Sequence, residues 1–84
     1  MEEMKKLTLE DVRSRNLKVY YKAFLMAEMS FRAVDVVGRF ENLKDAKVEC
    51  KRWRKEEIYK ESEFLIIKFV KDGDGYIKKV MIRY

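Results

Sequence analysis

The chain has 84 residues, 20 Lys and Arg against 15 Asp and Glu, a net charge of +5, one cysteine, and neither histidine nor proline. Without histidine there is no Ser-His or Cys-His nucleophile pair, no imidazole metal ligand and no imidazole pH switch. A lone cysteine makes neither an intrachain disulfide nor a cysteine zinc cluster, and one domain spanning residues 1–84 has little room for a substrate cleft.

In chain order, residues 1–7 are a charged lead-in without the apolar core of a signal peptide. The longest uninterrupted apolar run, residues 23–27, falls far short of the roughly 20 needed to span a bilayer. The expectation is an intracellular, cytoplasmic protein with no membrane partner. Thr8 followed three residues later by Asp11 signals a helix start. Leu17, Tyr20, Phe24, Ala27, Phe31, Val34 and Gly38 then recur in steps of three and four, widened by Tyr21 and Leu25. Lys18, Lys22, Arg32 and Asp35 fall off that stripe, which predicts an amphipathic helix. Unbroken over residues 9–40 it would be about 48 Å long, too long for a compact domain. A break is expected near Asn16 or in residues 30–38; an unbroken helix would imply dimerisation along the stripe.

Residues 41–45 read as a loop. Ala46, Val48 and Cys50 then alternate with Lys47, Glu49, Lys51 and Trp53, which favours a strand. The competing reading is a helix capped by Asn42, with Leu43, Ala46, Cys50 and Trp53 on one stripe. Residues 63–71 form an apolar central strand, residues 76–84 its partner, and Asp72-Gly73-Asp74-Gly75 the turn between them. A turn of even length places Leu65, Ile67, Val80 and Ile82 on the face that the helix covers. The fold class is therefore α+β: an N-terminal helical region packed on a three-stranded antiparallel β-meander. The alternative is two helices followed by a C-terminal β-hairpin.

Residues 71–77 resemble the middle of an EF-hand calcium loop, at Asp72, Asp74 and Gly75. The first ligand position falls on Val70 and the bidentate twelfth on Met81, so a plain hairpin turn is the better reading, and no metal or cofactor is expected. Residues 47–55 hold five cations against Glu49, beside the only tryptophan. As a strand, the segment projects Lys47, Lys51, Trp53 and Lys55 from one face, extended by Lys68, Lys79 and Arg83; together with Arg52 and Arg54 these cations would neutralise phosphates while the indole stacks on a base. That predicts a non-enzymatic nucleic-acid-binding protein. The alternative is a protein-interaction module, either a homodimer or a small regulator or inhibitor of another protein. It would use an apolar patch at Phe64, Ile66, Val70, Ile77 and Met81, one face of the sheet that a single helix region leaves uncovered. Met81 would add adaptability to such a surface; Met26 and Met29 share that potential, but their helical spacing favours core packing. Cys50 is expected to point inward and to be inert.

Overall fold

The computed structural model describes residues 6–27 and 32–84. Its elements are α1 (Leu9–Ser14), β1 (Val19–Met26), β2 (Ala33–Phe40), α2 (Leu43–Arg54), a 3-10 turn (Glu57–Tyr59), β3 (Phe64–Lys71) and β4 (Ile77–Arg83). The strands form one sheet in the order β2-β1-β3-β4, antiparallel at every adjacent pair. β2 and β3 consequently run parallel on either side of β1, and α2 is the connection between them. The class is α+β with helices and an antiparallel sheet. The sheet has four strands rather than three.

α1 opens on the Thr8 capping box: the Thr8 hydroxyl accepts from Asp11 N–H at 3.0 Å, and the Asp11 carboxylate accepts from Thr8 N–H at 2.9 Å. It ends where a break was expected. Asn16 takes a positive φ of 47°. Asn16 N–H donates to the Arg13 carbonyl and Leu17 N–H to the Val12 carbonyl, both at 3.2 Å. This is the pairing of a Schellman stop, in which asparagine is a good substitute for glycine.

Beyond that stop the expected helix is replaced by a β1–β2 hairpin. The segment Val19–Met26 reads VYYKAFLM, apolar at both parities, so helical and strand periods fit it equally well and spacing alone cannot separate them. In β2 the β-branched Val34, Val36 and Val37 favour extended backbone. The pairing slips at Ala23/Phe24 and at Leu25/Met26, so β2 carries irregularities that hide its alternation. Gly38, which fitted the helical stripe, sits opposite Ala23 with φ 156°; a Cβ there would meet the Phe40 ring at 3.1 Å. Met29, Ser30 and Phe31, and residues 1–5 of the lead-in, lie outside the described residues.

The second correction concerns residues 46–53, which are helical, the competing reading. The Asn42 side chain accepts from Asp45 N–H at 2.9 Å and fixes the start of α2. Leu43, Ala46, Cys50 and Trp53 then form the stripe that enters the core. That core comprises Ala23, Leu25, Val37, Phe40, Ala46, Cys50, Phe64 and Ile66. Tyr21, Trp53, Tyr59, Ile82 and Tyr84 pack around it.

The β3–β4 hairpin forms at the expected place with a different parity. Asp72 N–H donates to the Tyr76 carbonyl at 2.9 Å and Gly75 N–H to the Asp72 carbonyl at 3.2 Å. The loop is therefore the three residues 73–75, a tight turn closed by Gly75 at φ 88°. An odd loop pairs Ile66 with Ile82 and Ile67 with Met81, which reverses the face expected of β3. Phe64 and Ile66, not Leu65 and Ile67, go under the helix.

Candidate functional site: the open face of the sheet

Alternation along paired strands gives the sheet two faces. One carries Tyr21, Ala23 and Leu25 of β1, Phe64, Ile66 and Lys68 of β3, and Val80 and Ile82 of β4. α2 packs on it, mainly over β2 and β1. Along the other, no helix lies among the described residues, and α1 stands at one end of it. The strand registers set out its rows. The first row is Tyr20–Phe69–Lys79. The next is Arg39–Lys22–Ile67–Met81, and the one after is Val36–Phe24–Leu65–Arg83. Lys71 and Ile77 extend the face at the α1 end, where they are paired.

The chemistry of this face is uniform in sign. β1, β3 and β4 contain no Asp or Glu; of their cations Lys22, Lys71, Lys79 and Arg83 take the open face, and Lys68 and Lys78 the helix side. Between the cations of the open face lies an apolar and aromatic band. The Tyr20 and Phe69 rings stack at 4.9 Å with an interplanar angle of 12°. Lys79 Nζ lies 5.7 Å from the Phe69 ring centre, and Lys22 Nζ lies 5.0 Å from that of Phe24. Ile77 and Met81 are 56% and 70% exposed, so the band meets solvent.

Lys22 and Arg39 are direct cross-strand partners on this face, and neither forms an ion pair among the described residues. Partial burial lowers the Lys22 pKa from its ordinary value, and the nearby Arg39 charge lowers it further. Like charges placed opposite one another weaken a sheet. The pair is a point of stored repulsion that an anion laid across both would relieve.

The residues expected to make the site are dispersed. Lys47, Lys51, Arg52, Trp53, Arg54 and Lys55 lie on or just past α2, not on a strand. Trp53 is packed inward, 5.3 Å from the Tyr59 ring and edge-on to Phe64 at 6.4 Å. Arg54 donates to the carbonyls of Ser62 and Tyr84 and covers the Phe64 and Tyr84 rings at 5.0 Å, a structural clamp. Arg52 is paired with Glu49 at 3.7 Å, and Lys47 Nζ lies 5.6 Å from the Tyr84 ring. Lys51 and Lys55 point to solvent. Lys68 is on the helix side of the sheet, over Tyr21 at 6.0 Å. Of the basic set only Lys79 and Arg83 belong to the open face.

The expected apolar patch divides in the same way. Phe64 and Ile66 are core residues, 1% and 0% exposed, and Val70 shares their parity. Ile77 and Met81 lie on the opposite face. The cause is the one-residue error in loop length. Cys50 is buried, and burial pushes its thiol up to about 11 from 9.0. The Asp72 carboxylate is already engaged by the N–H groups of Asp74 and Tyr76, each at 2.9 Å, so it serves the turn. Among the described residues no cluster of His, Cys, Asp and Glu is able to hold a metal ion, and no helix is long and apolar enough to cross a membrane.

Tyr20, Lys22, Phe24, Arg39, Phe69 and Lys71 were not placed in a site by sequence reasoning, which read Tyr20 and Phe24 as part of the buried stripe of a helix. A signal for most of them existed: residues 17–27, 64–71 and 76–84 contain no acid in a chain that has fifteen. Comparison with known protein families, with curated proteins and with solved structures finds no match.

Proposed function

We propose that this protein is a non-enzymatic binder of single-stranded nucleic acid and that it uses the open face of its sheet. The observation that carries the reading is the acid-free set β1, β3 and β4, which presents cations on both flanks of an aromatic and apolar band. Phosphates are drawn to Lys22 and Arg39 on one flank and to Lys79 and Arg83 on the other. Exposed bases settle on the band between them, where stacking on aromatic side chains is worth roughly 1–3 kcal/mol per base. A duplex hides its bases and offers mainly phosphates, so it would leave that band unused.

The test is binding of fluorescent single- and double-stranded oligonucleotides over a salt series. Single strands are expected to bind more tightly, with an affinity that falls steeply as salt rises. Absence of binding at about 50 mM salt would refute the reading. The competing use of the same face is self-association through Ile77 and Met81, both exposed. It predicts a mass that rises with concentration and no nucleic-acid binding, and sedimentation decides between them.

A further inference from the structure

At the α1 end of the open face, α1 and the sheet enclose a hollow of about 320 Å³. Tyr20 and Phe69 form its sheet side and Leu9 and Val12 its helix side, and Lys18 and Lys71 are among the residues that line it. No acidic residue lines it. Its volume is at the lower end of small-molecule sites, roughly 300–1,000 Å³, which is room for one nucleotide and no more. The Tyr20–Phe69–Lys79 row belongs to the open face and the first two members also line the hollow, so a strand crossing the sheet reaches the hollow without leaving protein surface.

α1 itself supports a role in binding. It has six residues, none of them buried, and Leu9 remains 43% exposed, so it contributes little to the core. It is nevertheless fixed at both ends, by the capping box and by the Asn16 stop. The strand that follows it is tied to β3 by Lys71 N–H donating to the Lys18 carbonyl at 2.7 Å. A short helix held in place over an apolar gap is a preformed wall, and preformed walls lower the cost of binding.

We infer that this hollow lodges a single unstacked base of the bound strand, which continues the Tyr20–Phe69 stack, while Lys18 and Lys71 hold its phosphate. The inference rests on the proposed open-face reading. It is tested with the full chain and a short oligothymidine carrying one 2-aminopurine, moved position by position. The expected result is a fluorescence change on binding that is much larger at one position than at the rest. Val12→Trp, which fills the hollow, should abolish that difference and weaken binding about tenfold, the loss of one stacked base. If Val12→Trp does not fold, the exposed Lys71→Gln decides by the same readout. A change of equal size along the whole probe overturns the inference. So does unaltered affinity in Val12→Trp when Lys22→Ala weakens binding; that second result leaves the open-face reading standing. A wild-type chain that binds no probe overturns both.

Discussion

The two faces of this sheet are built from the same four strands and solve opposite problems. On the helix side, Ala23, Leu25, Phe64 and Ile66 are all at most 6% exposed beneath α2 and its flanking aromatics. Their apolar surface is removed from water, at about 25 cal/mol per Å². On the open side, Tyr20, Phe24, Leu65, Ile67 and Phe69 are only half-buried by one another, and Lys22 and Lys79 stand over the rings of Phe24 and Phe69. A surface that is both apolar and of one sign gains little for the fold. Where a chain retains such a surface, the cost to stability is a reason to look for a ligand. The helix-side cations make the contrast sharper. Arg52 is paired with Glu49, and Arg54 is spent on carbonyls and rings, whereas Lys22 and Arg39 face each other.

The largest difference between the faces should be in stability. Phe64→Ala is expected to cost about 3–5 kcal/mol through the cavity it leaves, enough to unfold much of a domain this small. Met81→Ala on the open face should change stability by no more than about 0.5 kcal/mol. Urea unfolding of both variants checks this, and equal costs would break the comparison. Next in size is the helical cover: Asn42→Ala removes the cap of α2 and should cost about 1 kcal/mol by the same measurement. On the open face the sign reverses. Lys22→Met relieves the repulsion with Arg39, and a gain of a few tenths of a kcal/mol is expected together with weaker oligonucleotide binding.

The faces also differ in sign in the alkaline limb. The Cys50 thiol titrates near 11 in the fold against 9.0 otherwise. The folded state therefore holds more protons in that window, and its contribution to stability is lost as pH rises from about 9 to 11. Lys22 has a lowered pKa. The unfolded chain binds its proton more tightly, so its contribution grows as pH rises toward the ordinary lysine value of 10.5. Unfolding curves of Cys50→Ala should fall less steeply than wild type above pH 9, and those of Lys22→Met more steeply.

How far the sequence exposes this comparison depends on the element. The β3–β4 hairpin was legible because glycine and aspartate mark its turn and its strands are rich in Ile and Val. Which face of β3 is buried was not legible, because the strand is apolar at both parities and one residue of loop length decides it. β1 was lost for a related reason: VYYKAFLM satisfies every period. The stop at Asn16 was the informative residue there, since an αL asparagine ends a helix rather than bending it. In residues 43–54 the alternation of a few residues outweighed a cap and a three-four stripe, although Asn42 and Asp45 carried the decisive hydrogen bond. The open face was missed along with β1, since a site that spans strands is visible only once the strands are paired. Its trace in the sequence was negative, the lack of acids in three separated segments.

The central claim is that the open face, and not the basic surface of α2, is where nucleic acid binds. It is tested most directly by comparing two double variants in a salt-dependent fluorescence anisotropy titration with a single-stranded oligonucleotide. One variant is Lys22→Ala with Arg39→Ala; the other is Lys51→Ala with Lys55→Ala, which removes the same charge from the helix side. The open-face variant should lose about tenfold or more in affinity. Its dependence of log affinity on log salt should flatten by about 0.7 for each phosphate contact removed, while the helix variant stays close to wild type. Equal losses in the two variants, or a loss confined to the Lys51 and Lys55 pair, would contradict the account.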